Sequence, residues 1–213
     1  MCIRDSSLCL VVISGYYSWI NISITNVLIL PAIFVALILG GVTIYKKHLS
    51  PITVPIYAVI QGIFLGAISY TFNSLYDGIV ITAISYTLSI LFVMLTLYRT
   101  GIIKPTENFK LGVAAGTGGI ALIYLANFVM SFFGTGLSIM DINNASMYSI
   151  GFSLLVIVMA SLNLVVDFDF IEEGSEKRAP KYMEWYGAFG LLVTLIWLYL
   201  EILRLLAKMN SRK

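Results

Sequence analysis

Apolar positions run along this chain in blocks too long for the core of a soluble domain, broken by short clusters of polar and charged residues. Apolar stretches occupy residues 26–45, 51–72, 78–98, 110–133, 147–169 and 184–207, with a shorter one at 7–20. A helix needs about 20 mostly apolar residues to cross a bilayer, whereas a spanning strand leaves segments of about ten residues that alternate in polarity. The blocks do not alternate, so the pattern predicts an all-α membrane protein, a bundle of seven transmembrane helices. The connections are short and carry no Pro- or Ser-rich linker, which predicts a single helical domain over residues 7–213.

The first block is the irregular one. Met1-Cys2-Ile3-Arg4-Asp5-Ser6 leads abruptly into Leu8-Cys9-Leu10-Val11-Val12-Ile13, and polar Ser18 and Asn21 arrive before the run reaches membrane length. The expectation is a truncated first helix behind a non-native lead at residues 1–6.

Composition agrees with the blocks. Of 213 residues, 59% are hydrophobic and 11% charged, where a soluble domain keeps about a quarter charged. The expected partner is therefore the lipid bilayer itself, and nothing in the chain points to nucleic acid. The net charge of +2 says little, because in a membrane protein the placement of charge matters more than its sum. Cys2 and Cys9 have neither a second pair nor a histidine companion, so no disulfide framework or redox motif is indicated.

Charge placement predicts an orientation. The connections after the second, fourth and sixth blocks hold Lys46 and Lys47, then Arg99, Lys104 and Lys110, then Lys177, Arg178 and Lys181, while the alternate connections hold none. By the positive-inside rule these even connections and the N-terminus are cytoplasmic, with the C-terminus outside. Lys208, Arg212 and Lys213 then stand on the disfavoured side, a conflict within the pattern itself.

Chemistry concentrates in the last two blocks. The sixth ends Leu162-Asn163-Leu164-Val165-Val166-Asp167-Phe168-Asp169-Phe170-Ile171-Glu172, in carboxylates rather than lysines. The seventh carries Glu184 at its start and Glu201 and Arg204 deep inside. An ionised side chain at the centre of a span costs about 2.5 to 3.5 kcal/mol on insertion scales, so such residues are candidate functional sites. Residues seven apart on a helix differ in direction by only about 20°. Ser153, Ala160 and Asp167 thus form one stripe with Asn163 beside it, and Gly187, Thr194 and Glu201 form another. Both stripes should face the bundle interior.

Depth predicts the pairings. Asp167 and Asp169 lie near the same membrane end as Glu184, while Glu201 is 17 residues, about 25 Å of helix, beyond it. Asp167 or Asp169 is therefore expected to approach Glu184 more easily than Glu201. Glu201 is expected to find Arg204 at i,i+3, or a residue of another helix such as Gln61. Two carboxylates in one dry site hold a single proton between them, and the same oxygens accept a hard cation such as Ca²⁺. The competing structural reading makes Asp167 and Asp169 interfacial acids solvated at the helix end, and Glu201 with Arg204 an internal ion pair.

Other features read as structural. Gly62 and Gly66 form a small-xxx-small pair, and Gly112 to Gly119 is expected to let backbones pack closely; that run lacks the Gly-Lys-Ser/Thr ending of a phosphate loop. His48 sits among lysines with no ligand spacing. No Gly-x-Ser-x-Gly elbow or Gly-x-Gly-Asp protease motif is present, so enzymatic function is not expected.

From Val54-Pro55-Ile56-Tyr57-Ala58-Val59-Ile60-Gln61-Gly62 through Asn163 to Glu172 and Ala179-Pro180-Lys181-Tyr182-Met183-Glu184-Trp185-Tyr186, the chain resembles the Bax inhibitor-1 family, in particular its bacterial members. The resemblance implies a bundle around a central seventh helix in a bacterial inner membrane. It also implies a pH-sensitive Ca²⁺ leak governed by an aspartate pair on the last two helices, with Ca²⁺ or H⁺ as permeant or regulatory ions and no other cofactor. Asp167 matches the sixth-helix aspartate. The Leu-Tyr-Leu-acid pattern selects Glu201 as its partner, whereas the Leu-Arg-Leu-Leu ending places an uncharged residue there, and Gln61 stands where many relatives carry an acid. Some bacterial relatives instead restrain a membrane-bound protease, which makes a regulatory partner the alternative.

Overall fold

A computed structural model describes residues 2–134, 136–141, 144 and 146–212, the side chains at 2–5, 23–28, 30, 132 and 138 lying outside that description. Met1 and the Cys2 side chain, both in the predicted lead, are therefore not described. Within the described residues seven α-helices follow one another: α1 Cys2–Ile20, α2 Ile22–Tyr45, α3 Ser50–Leu75, α4 Ile79–Arg99, α5 Glu107–Phe132, α6 Met147–Glu176 and α7 Tyr182–Asn210. Each apolar block falls within one helix, to within a residue or two. The helices extend beyond the blocks because capping and backbone hydrogen bonding, rather than apolarity, set their ends. Among the described residues five helices, α3 to α7, are long and apolar enough to cross a membrane, and α1 and α2 supply the shorter apolar stretches Ser6–Ile20 and Pro31–Tyr45. The chain is an all-α, multi-pass membrane protein.

Local chemistry explains the ends. Pro51 occupies the first turn of α3, where its missing N–H costs no hydrogen bond. Gly78, at φ 78°, makes the left-handed turn between α3 and α4. The Thr106 side chain accepts from Phe109 N–H and caps α5, with Glu107 in the positive first turn. The end of α6 closes through Ala179 N–H to Gly174 O at 2.9 Å and Arg178 N–H to Ser175 O at 3.2 Å. That is a Schellman motif with an arginine, φ 49°, at the position that favours glycine. Along α4 the hydroxyls of Ser85, Ser89 and Thr96 each donate to the carbonyl one turn earlier, at 2.8 to 2.9 Å, so exposed polar groups are satisfied without water.

The chain forms two compact units, Met1–Asp77 with Phe170–Val193, and Gly78–Asp169 with Thr194–Lys213. In the first, α1 lies on α3 through the predicted small-xxx-small pair. A Cβ on Gly66 would come within 2.9 Å of the Gly15 carbonyl carbon and closer still to its oxygen. Ser18 Oγ donates to Ile63 O at 2.8 Å beside this contact. Ser50 Oγ donates to Tyr182 O at 2.6 Å, tying α3 to the start of α7, and Tyr57 meets Phe189 edge to face at 5.0 Å. A cavity of about 320 Å³ is bordered by Ala36, Gly40, Tyr57, Gln61, Phe64 and Phe189.

In the second unit the glycine-rich start of α5 departs from expectation. Only Gly116 is packed, against the end of Met159, while a Cβ on Gly112, Gly118 or Gly119 would meet nothing within 4 Å. The cause is the position of α5, of whose most apolar stretch only 11% is buried, against 56% for α7. Among the described residues α7 is the most buried of the five long spans, and it contributes one half to each unit.

Candidate functional site

The second unit holds residues 147–169 of α6 and the half of α7 from Thr194 onward. The Thr194 side chain stands beside the Asp167 carboxylate. One oxygen of that carboxylate, Asp167 Oδ2, is buried without a hydrogen-bond partner among the described residues. Lys208 Nζ donates to Ser153 Oγ at 3.0 Å. Ser153 lies fourteen residues before Asp167 and Lys208 fourteen after Thr194, so the two pairs share one antiparallel register about 21 Å long. The same register sets Glu201 at the level of Ala160, midway between them. The two sequence stripes therefore form one column, Asp167 with Thr194, Ala160 with Glu201, and Ser153 with Lys208.

Glu201 is 1% exposed. A buried carboxylate must be paired, because the attraction of a partner has to offset several kcal/mol of lost hydration. Two partners meet it on the same atom. Arg204 Nη1 donates to Glu201 Oε2 at 2.8 Å, and Tyr124 of α5 donates its hydroxyl to Oε2 at 2.7 Å. Arg204 also donates to the Tyr124 hydroxyl at 3.2 Å and lies 5.5 Å from the centre of its ring, so the three side chains interlock. Glu201 Oε1 is buried with no hydrogen-bond partner among the described residues.

Lys208 is fully buried. Its three N–H donors are met by Ile139 O at 3.0 Å, Ser149 O at 3.2 Å and Ser153 Oγ at 3.0 Å. The first of these comes from the 3₁₀ turn Ser138–Met140 between α5 and α6. Beside the column, Asn163 donates to Thr117 Oγ1 of α5 at 2.6 Å and to Met159 O at 3.0 Å. Asp169 forms an ion pair with Lys110 at 2.7 Å, joining the end of α6 to the start of α5.

The residues singled out in the sequence thus separate into groups. Asp167, Asn163, Asp169, Glu201 and Arg204 belong to the second unit; Glu184 and Gln61 belong to the first. Glu184 is exposed in the first turn of α7, and Gln61 donates to the Tyr57 hydroxyl at 3.3 Å. Glu201 takes Arg204 at i,i+3, with Tyr124 rather than Gln61 as its partner from another helix. The side chain beside Asp167 is that of Thr194, one heptad short of Glu201. Asp169 is not free in solvent but paired. No cluster of three or more His, Cys, Asp or Glu suited to holding a metal occurs among the described residues.

Four participants were not singled out: Tyr124, Thr117, Lys110 and Lys208. Lys208 carried a readable signal, since it continues the heptad series Gly187, Thr194, Glu201.

No curated protein sequence matches the chain. The family model described as Bax inhibitor 1 like matches residues 5–211, which takes in all seven helices and every residue of the column. With nearly the whole chain matched, the protein belongs to the Bax inhibitor 1 like family.

Proposed function

We propose that this protein is a slow cation leak, passing Ca²⁺ under the control of protons on Asp167 and Glu201. The observation that supports this reading is the pair of intramembrane carboxylates in one column, each with a buried oxygen that lacks a hydrogen-bond partner among the described residues. Such an oxygen is an acceptor in waiting. Ionised, it offers a hard ligand to a cation; protonated, it becomes a donor and loses its charge. The same atoms therefore serve both ion and proton, and competition between them is the control. In the column Ser153 accepts from Lys208 rather than giving it a proton, and we read the protein as non-enzymatic. We place it in a bacterial inner membrane with the even connections cytoplasmic.

Purified protein in liposomes loaded with a Ca²⁺ dye tests this reading. Wild-type vesicles should leak Ca²⁺ in a pH-dependent way, and Asp167→Asn should lower the flux and flatten its pH profile. Flux equal to that of empty liposomes would overturn the proposal.

A second reading is favoured by the end of α6 and its connection to α7, where Glu172, Glu176, Lys177, Arg178 and Lys181 are exposed. Such a charged surface suits a regulatory contact with a membrane-bound protein, a protease among the candidates. Photo-crosslinking from position 176 in native membranes should recover one defined protein; recovery of background alone would count against it.

A further inference from the structure

The three acceptors around Lys208 form an arrangement that a lysine seldom receives. A buried lysine ordinarily meets a carboxylate. Here its three hydrogen bonds end on two backbone carbonyls and one hydroxyl, all neutral oxygens, at 3.0, 3.2 and 3.0 Å. The charged groups that act on it at longer range are Asp141, Glu201 and Arg204. Carbonyl and hydroxyl oxygens converging on one point are the ligand set by which proteins replace the hydration shell of an alkali cation. A neutral set suits a single positive charge.

We propose that Ile139 O, Ser149 O and Ser153 Oγ constitute a monovalent-cation site that Lys208 fills with its own ammonium group. The site is built into the fold. Ser149 and Ser153 stand one turn apart on α6 and are both fully buried, Ser149 Oγ donates to Ile139 O at 2.8 Å, and that bond holds the third ligand in place. Lys208 reaches in from the facing turn of α7. On the leak reading, on which this second role rests, the tethered cation closes its end of the column to mobile ions. Occupancy of the site itself is independent of whether ions cross.

The test is Lys208→Ala, which empties the site, with thermal unfolding in detergent recorded against potassium or methylammonium chloride, and N-methylglucamine chloride as the control for ionic strength. Both small cations should raise the melting temperature of Lys208→Ala saturably, by about 2 to 4 °C for a chain of this size. Wild type, whose site is filled, should show no such rise, and adding Ser153→Val to Lys208→Ala should abolish it. Equal responses to all three salts would overturn the proposal.

If Lys208→Ala does not fold, the wild-type protein with ¹⁵N-labelled lysine decides. An Nζ resonance lost in Lys208→Arg should exchange its protons with water far more slowly than surface lysines do, and faster in Ser153→Ala. A freely exchanging Lys208 would overturn the site. These readouts require no transport, so a failed flux assay leaves them intact, and their failure leaves the leak standing.

Discussion

Tyr124 donates its hydroxyl to Glu201 at 2.7 Å, on the same carboxylate oxygen that Arg204 holds at 2.8 Å. One oxygen of a buried acid is thus bound twice while the other is bound by nothing among the described residues. The pair brings α5, otherwise the least buried of the long spans, into the chemistry of α7.

Arg204→Met should therefore be costly. It leaves Glu201 buried without its countercharge, a change worth about 3 to 5 kcal/mol in comparable buried pairs. Tyr124→Phe removes one hydrogen bond and should cost about 1 to 3 kcal/mol. Combining Arg204→Met with Glu201→Gln should recover most of the loss, because the uncompensated charge is gone. Thermal unfolding of the three variants in detergent gives the comparison; a double variant no better than Arg204→Met alone would contradict it.

Gly66→Ala should loosen α1 from α3. The new methyl would meet the Gly15 carbonyl, a backbone group that can yield only if the helix moves, at a cost of about 1 to 3 kcal/mol. Cysteines placed at Ser18 and Ile63, adjacent in the native packing, should then crosslink more slowly than in the parent.

Arg178→Gly should stabilise the protein. The residue sits at φ 49° at the end of α6, and relief of a left-handed non-glycine conformation returns about 1 kcal/mol. The melting temperature should rise by about 2 to 4 °C. No rise, or a fall, would mean that the exposed arginine side chain contributes more than its backbone costs.

The helices were legible because lipid imposes a length on apolar runs, and every block became a helix. Asp167 and Glu201 stood out for the same reason, as charges where charge is expensive. Arg204 was expected beside Glu201 and Thr194 lay on the named stripe, but the contacts supplied by α5 were not legible. A tyrosine or threonine within an apolar run is unremarkable until the neighbouring helix is known, so Tyr124 and Thr117 gave no signal along the sequence. Lys208 was hidden differently: lying near the end of the last block, it read as a tail charge, although its heptad spacing from Glu201 placed it on the interior stripe. The glycines of α5 mislead because small residues mark a contact only where a second helix arrives, and only Gly116 has one.

The seven-residue spacing shared by the two stripes limits how the seam can move. Sliding α7 along α6 by a single turn, about 5.4 Å, would bring Lys208 to the level of Ile157 and Glu201 to the level of Leu164, or the opposite slide would set Glu201 beside Val156. The first slide exchanges polar levels for apolar ones, whereas the second keeps polar partners, Lys208 with Ser149 and Thr194 with Asn163, and only sets Glu201 against the bulkier Val156. The seam is therefore asymmetric: α7 meets matching polar levels one turn toward the N-terminal end of α6 and apolar ones a turn the other way. A piston stroke is thereby closed in one direction, and any sliding of α7 along this seam is biased toward the N-terminal end of α6.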